Sequence, residues 1–553
     1  MREYKFYDIS SVVCEKEKLS ETFSADKWRI IDYEAADFSG KFLFADQKSS
    51  PDPITVDLGV EGRYHVYLGM INPRGETATG FGLLSDGKKT QFRAIRPTVG
   101  CWKPLEWFEE SYYGVVDMTD EKFVVSKPDK EGVNSALAWI RLVEAEENEA
   151  VSAEPCMAYH FDLDYFDDDS YTSVNEPLGR LNMLRDGAPE IILHEKLPLH
   201  DLYAEKQKGR KAEWASHYFE NFEEADKALI KEAHSMGSKI YASYRIQAGG
   251  FGKFAEHLNS SYEDKWFDEH PEYRCMTRDG RAVATASFAY PEVRRRVVEM
   301  IVNGVGDYDG ACVFYHRGTV VAFEEPVKQM VRDTYGVDAE RLPMSDPRLH
   351  KVLCHFVTLF MRELREALGK EKAINAIVYH SPEKSLHFGY DVKTWVDEGL
   401  VDGISQGLMS HFEDLDGILD GEGLVDMEKY KSAIRERAVV CRVYAPDYTL
   451  VTEGAREFLG ICGGKADFYA TLAWEGTDVN KTLELTRGLR DVGVKKFISW
   501  NTNHKAKILG RLNAEKFYTA GTPELYEERK SRYFRTLSIG GDDISSYNTD
   551  WKG

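Results

Sequence analysis

Short runs in which apolar and polar residues alternate fill the first 150 positions. Ile54, Val56 and Leu58 alternate in PITVDLG, and Tyr64, Val66 and Leu68 alternate in GRYHVYLGM. Side chains two apart share one face of a strand, so each run predicts a half-buried strand. LLSDGKKTQFRAI sets Asp86-Gly87 between two such runs, which is a hairpin signal. ALAWIRLVEA alternates again near 136–145. Together these predict an antiparallel β-sandwich over 1–150. The acidic stretch EAEENEAVSAEP (144–155) reads as a linker.

Beyond it the pattern changes to short apolar runs separated by amphipathic segments. The strand candidates are 157–164, 239–245, 311–317, 374–380, 401–405, 439–444, 466–474 and 496–501. EIILHEKL (190–197) is an ambiguous ninth, and accepting it would shift the strand count by one. Helical spacing lies between most of them. EEADKALIKEAHSMG repeats apolar residues at three and four and ends in glycine, and VLCHFVTLFMRELREALG has one fully apolar side. The predicted fold class is therefore α/β: a (β/α)8 TIM barrel over 155–510, behind the N-terminal β-sandwich. A short C-terminal extension, 511–553, is expected to pack on one of the two. A doubly wound sheet is the fallback, but no glycine fingerprint opens the first βα unit.

Composition narrows the class. At 553 residues one core does not suffice. A formal net charge of −22 repels phosphate backbones and anionic lipid, so neither nucleic acid nor a membrane surface is an expected partner. The start, MREYKFYDISSVVCEKEK, has no apolar core of signal-peptide length, and no run of about 18 apolar residues occurs. A cytoplasmic protein is expected. Its eight cysteines are scattered without a CxxC pair, so neither disulfides nor a zinc ribbon is indicated. Thirty tyrosines, 28 phenylalanines and 10 tryptophans serve packing first and a sugar-binding surface second.

In a barrel of this kind the site lies at the C-terminal ends of the strands. Those ends carry His160, Asp162 and Asp164; Arg245; His316 and Arg317; His380; Gln406; Arg442 and Tyr444; Trp474 and Glu475; and Trp500 and Asn501. A polar residue ends every predicted strand, the pattern of a ligand ring. Glycoside cleavage usually needs one protonated and one ionised carboxyl group. Glu475 beside Trp474 is the first candidate, because an apolar ring raises a carboxyl pKa. Glu324, on the loop behind His316-Arg317, is its expected partner, with Asp162 in reserve. Asp164, Arg245, His316, Arg317, His380, Gln406, Arg442, Tyr444, Trp474, Trp500 and Asn501 are the expected substrate-binding residues. Arg245, Arg317 or Arg442 could instead neutralise Asp162 and Asp164, and Glu325 before Pro326 suits a helix start. Histidines 160, 316, 380 and 504 show no HxH or HExxH spacing, so no metal and no other cofactor is expected. QAGGFGKF (247–254) lacks phosphate-loop spacing and reads as a lid.

The barrel segment resembles glycosyl-hydrolase-like proteins related to glycoside hydrolase family 10. The residues that carry the likeness are HPEYRCMTRDG with SFAYPEVRRRVVEMI, DYDGACVFYHRG, FEEPV with YGVDAERLPMSDPR, FVTLFMRELR and GYDVKTWVDEGLVDGI. The resemblance implies a barrel and a carbohydrate substrate. Relatives carry an acidic residue where this chain has Tyr315, so no catalytic role transfers from that position. The leading function is a glycoside hydrolase acting on an oligosaccharide. Two alternatives stay open: a metal-dependent hydrolase or lyase acting on a sugar, and a non-catalytic carbohydrate-binding barrel. Trp102, Trp107 and Trp139 could bind glycan in the sandwich, although core packing is the better expectation. A homo-oligomer also stays open.

Overall fold

The structure is a computed structural model that describes residues 2–34, 38–72, 78–85, 90–93, 107–127, 134–145, 156–161, 178, 181, 184, 189–196, 222–246, 270–276, 278, 280, 282–315, 320–343, 345–407, 448–472, 479–500 and 538–539. The alternating N-terminal runs form three sheets. Glu3–Phe6, Trp139–Glu144, Arg63–Asn72 and Trp107–Asp117 lie side by side in one. Ile54–Val56, Phe123–Ser126, Ala78–Leu83 and Thr90–Arg93 make the second. Ser135–Leu137, Ser39–Ala45, Trp28–Glu34 and Leu19–Ser20 make the third. All the pairings are antiparallel except Leu19–Ser20 against Trp28–Arg29. Phe81 stands opposite Thr90, so the strands flanking Asp86-Gly87 pair as that signal predicts, while the turn residues lie outside the described ones.

The Ser39–Ala45 strand buries both faces. Leu43 and Ala45 enter a core with Trp28, Val56, Leu68 and Phe81, whereas Phe42 and Phe44 enter a second with Tyr33 and Trp139. Trp139 is fully buried, with Phe38 edge-on at 5.4 Å, so it serves packing. The side chains of Trp102 and Trp107 lie outside the described residues. Ser538–Ile539, in the expected C-terminal extension, pairs with Tyr33 and Glu34 at the edge of the third sheet.

From residue 157 onward the strands close into a parallel barrel. In order they are Met157–Phe161, Pro189–Lys196, Lys239–Arg245, Gly310–Phe314, Ala373–Val378, Gly403–Gln406, Asp467–Thr471 and Lys496–Trp500, and the last pairs with the first. The ambiguous run at 190–197 is thus the second strand. The expected strand at 439–444 is not one of the eight. Gly403 pairs directly with Asp467, which leaves no place for another strand between the sixth and seventh. Arg442 and Tyr444, the residues expected at the end of the 439–444 run, lie outside the described residues.

Helices pack outside the barrel, among them Phe222–Ser235, Pro291–Val305, Pro347–Leu368 and Tyr448–Cys462. The Pro347–Leu368 helix starts on Asp346, which accepts from the Arg348 amide, and stops at Gly369 with φ +67°. Among the described residues no helix is long and apolar enough to cross a membrane.

At the N-terminal ends of the strands an Asp-Gly pair is used twice. The Asp309 amide donates to Ile240 O at 3.0 Å, and its Oδ2 accepts from Ile240 N at 2.8 Å. Asp402 repeats this with Ile374, at 2.8 and 2.7 Å. The following glycines have no room for a Cβ: one at Gly310 would stand 2.3 Å from Ala373 O, and one at Gly403 2.7 Å from Asn375 Nδ2. Asp402 also receives Arg365 Nη2 at 2.5 Å. We expect Asp402→Ala to cost about 1–3 kcal/mol, because the Ile374 amide loses its acceptor. Thermal unfolding checks this, and an unchanged Tm would show that water replaces the carboxylate.

Candidate functional site at the C-terminal mouth

Strand alternation decides which side chains reach the barrel axis. Cys312 Sγ and Ser405 Oγ both donate to Asn375 Oδ1, at 3.7 and 3.0 Å, so these three face inward. Register carries the same parity to the neighbours. Ser243 stands beside both Cys312 and Glu195, and Leu193 beside His160. The inward set near the C-terminal ends is then His160, Glu195, Arg245 and Phe314.

These four come from strands one to four and they meet. Arg245 Nη2 donates to Glu195 Oε2 at 2.9 Å, and Nε lies 2.5 Å from Oε1, so the two form a close ion pair. His160 Nε2 lies 3.8 Å from the same Oε2. Phe314 closes the group, its ring 5.3 Å from the His160 ring and 5.7 Å from the Arg245 guanidinium carbon. The His160, Glu195 and Arg245 side chains are 1%, 4% and 8% exposed. Arg245 was expected to bind substrate or to neutralise Asp162 and Asp164; it is paired with Glu195. Glu195 escaped the sequence reading because its strand was ambiguous. The available signal was a charged pair, Glu195-Lys196, closing an apolar run.

Several expected residues face elsewhere. Gln406 is one position past inward Ser405 and points out to the helices. Its Nε2 donates to His380 O at 2.7 Å and Val451 O at 2.9 Å, and Oε1 accepts from Thr471 N at 3.2 Å. The expected substrate contact is thereby replaced by a staple between the barrel and the Tyr448–Cys462 helix. Tyr315 also faces out. Its hydroxyl donates to Met361 Sδ at 3.0 Å and its ring lies 4.5 Å from Tyr390. A carboxylate there would be buried among rings. His380 follows the fifth strand and is 6% exposed.

Glu324 was expected on a loop reaching over the mouth, but its carboxyl group is fully buried. Oε1 accepts from Met276 N at 3.2 Å and Ala322 N at 3.0 Å, and Oε2 accepts from Ala322 N at 2.8 Å. Beside it Phe323 N donates to Met276 O at 3.1 Å, and Arg278 covers the Phe323 ring. Glu324 thus ties the hairpin of Arg274–Met276 and Ala282–Ala286 to the loop after the fourth strand. Both connections leave C-terminal strand ends. Glu325 opens the Glu325–Tyr335 helix ahead of Pro326, as expected.

Burial raises the Glu324 pKa above its ordinary 4.5, against the pull of its amide donors. A carboxyl whose pKa rises on folding takes up protons in the folded state, so its contribution is greatest at low pH. That contribution is lost as pH rises from about 4.5 through the folded pKa. We expect Glu324→Gln, which keeps an acceptor for both amides, to flatten this dependence. The wild-type Tm should fall relative to the variant as pH rises through that window, and parallel curves would place the ionised carboxylate at no cost.

On the outer side of the second strand lies a separate buried network. Lys196 pairs with Asp226, the Tyr308 hydroxyl donates to Asp226 Oδ1 at 2.8 Å, and His194 Nδ1 stands 2.7 Å from that hydroxyl. Burial pulls Lys196 down to about 8, against the charge of Asp226. It anchors the Phe222–Ser235 helix to the barrel.

Asp162, Asp164, His316, Arg317, Trp474, Glu475, Asn501 and His504 lie outside the described residues, as does the 247–254 segment. Trp500 is described by its backbone alone, as the register partner of His160. Among the described residues no group of three or more His, Cys, Asp or Glu is placed to hold a metal ion.

No family model matches this chain. No curated protein matches it either. Solved structures similar to it include the PgaB (BpsB) glycoside hydrolase domain from Bordetella bronchiseptica, with 11% identity over 69% of this chain and 100% of that one, at a TM-score of 0.37. The catalytic domain of β-amylase from Paenibacillus polymyxa has 9% identity over 67% and 100%, at 0.39. The GH26-CBM35 β-(1,4)-mannanase from Podospora anserina has 9% over 89% and 96%, at 0.31. All three are glycoside-acting proteins by name, and at these scores the likeness decides neither the family nor the reaction of this chain. Membership of the group related to family 10 is not shown.

Proposed function

We propose that the chain is a glycoside hydrolase that cleaves an oligosaccharide or glycoside at the C-terminal mouth of its barrel. The observation that supports this is the buried Glu195–Arg245 ion pair with His160 beside it, on the axis at the ends of the first three strands. Burying such a pair contributes little net stability, so its place at the functional end of the barrel points to a ligand.

Glu475 is the carboxylic acid of this reading and Asp162 the ionised partner. Glu324 leaves that role because its carboxyl group is committed to the loop clamp. Asp162 follows the first strand by one residue and Glu475 follows the seventh by four. Only the eighth strand separates those two around the barrel. A separation of about 5–5.5 Å between the carboxyls would give retention, and roughly 6.5–9.5 Å inversion.

Turnover on a panel of aryl glycosides and natural oligosaccharides tests the reading. Sugar binding without turnover would make the protein a carbohydrate-binding barrel, and turnover abolished by chelators would move it to the metal-dependent class.

A further inference from the structure

We propose that the turn at 46–49 is a structural cation site, with the Lys127 ammonium as its resident cation. A monovalent ion of ammonium size is the ligand it takes when that side chain is shortened. The inference is independent of the glycoside reading above.

Two strands of different sheets meet here at their ends. Ser39–Ala45 of the third sheet runs straight into Asp46, and Phe123–Ser126 of the second runs straight into Lys127. Half-buried Lys127 lays its ammonium group across the turn and donates to three backbone carbonyls. They are Asp46 O at 2.8 Å, Gln47 O at 3.2 Å and Ser49 O at 2.5 Å. An ammonium has three N–H donors and no acceptor, so the turn takes all three. Carbonyl oxygens that converge on one point repel one another unless a positive charge sits between them. Proteins that bind bare cations use the same arrangement.

The turn is shaped for that charge by contacts of its own. Asp46 Oδ1 accepts from Lys48 N at 2.8 Å, and Asp46 O accepts from Ser49 N at 2.9 Å and Ser49 Oγ at 2.8 Å. Gln47 N donates to Asn134 Oδ1 at 3.1 Å. Asp46 is 3% exposed, and its Oδ2 has no hydrogen-bond partner among the described residues. A buried carboxylate oxygen without a donor is costly, and a nearby positive charge offsets that cost. The Asp46 charge in turn favours the charged form of Lys127, against burial.

Charge and distance select the ion. Three neutral carbonyls and one carboxylate balance a single positive charge. The 2.8 and 3.2 Å contacts exceed the roughly 2.3–2.6 Å that Ca²⁺ takes from six to eight oxygens. Ammonium or potassium fits such a cradle better than a divalent ion.

The test compares the full chain with Lys127→Ala, which opens the site. Thermal unfolding is followed in about 200 mM choline, ammonium or potassium chloride, and in calcium chloride of the same ionic strength. In choline chloride the variant should unfold about 3–6 °C below wild type. Ammonium and potassium chloride should raise its Tm by about 2–4 °C over choline, as a site with a Kd of about 20 mM requires, and should move wild type by less than about 1 °C. Wild type is also treated with limiting acetylating reagent and read by peptide mass spectrometry. Lys127 should react at least about 10-fold more slowly than exposed Lys48, because its amine must first leave the turn.

A variant as stable as wild type in choline chloride overturns the site, and so does one whose Tm is the same in every chloride. Greater recovery in calcium than in potassium chloride overturns the monovalent assignment. If Lys127→Ala does not fold in choline chloride, the same salts are read by circular dichroism. Recovery in ammonium and potassium chloride supports the site there, and no recovery overturns it. Acetylation of Lys127 as fast as Lys48 overturns it without any variant.

Discussion

Glu475→Gln is expected to lower kcat about 10²- to 10⁴-fold on a glycoside that wild type hydrolyses, with KM changed little. The substitution keeps the size and polarity of the side chain and removes its proton. A general acid matters most when the leaving oxygen takes up charge, so its loss is felt in the transition state and hardly in binding. Glu475 stands next to Trp474 in the sequence, and an indole beside a carboxyl group favours the protonated form near neutrality. Substrates with leaving groups that need no protonation, such as dinitrophenyl glycosides, should be much less affected. The measurement is steady-state kinetics on two leaving groups. Nearly unchanged kcat in a folded variant would remove Glu475 from the mechanism, and an equal loss on both leaving groups would remove it as the acid.

Arg245→Met alone should destabilise the protein by about 3–5 kcal/mol, lowering Tm by roughly 5–10 °C. The reason is the partner left behind. Glu195 is 4% exposed, and its contacts with Arg245 are an Nη2 hydrogen bond to Oε2 at 2.9 Å and Nε 2.5 Å from Oε1. Without them an ionised carboxylate remains on the barrel axis, and water does not reach it freely. Recovery of Tm when Glu195→Leu is added would show that the single-variant cost was the stranded charge. A single variant within about 1 kcal/mol of wild type would mean that Glu195 is hydrated or picks up a proton at little cost.

The pH behaviour of Glu324 and the strand clamp at Asp402 bear on stability at the two ends of the barrel. Glu324 works at the mouth, where a hairpin and a loop from neighbouring strands are held together. Asp402 works at the opposite end, where conserving strand alignment matters more than binding.

Much of the architecture was legible in local pattern. Alternation in PITVDLG and GRYHVYLGM marked strands because period two is a local property of the chain. EEADKALIKEAHSMG marked a helix and its glycine stop, since amphipathic spacing and a left-handed C-terminal residue are local too. A closed parallel barrel followed from counting strands between helices. The count left one run open: EIILHEKL is the second strand of the barrel, because an isolated apolar run does not reveal whether it has neighbours to pair with, and 439–444 lies outside the described residues.

The site was less legible, for a reason seen residue by residue. A strand end in the sequence does not say which face it presents. Arg245 and His160 turn to the axis, whereas Gln406 and Tyr315, placed by the same rule, turn to the helices. Glu324 reads as a mobile loop acid until the amides of Met276 and Ala322 close around it. The sequence by itself determined most of the elements, their order and the strongly negative net charge, since these depend on neighbours a few residues apart and on charge count. Tertiary structure alone decided that Glu195 belongs with Arg245. The two lie fifty positions apart, and only the pairing of the second strand with the third, in a register that sets Glu195 beside Ser243, brings carboxylate and guanidinium into contact.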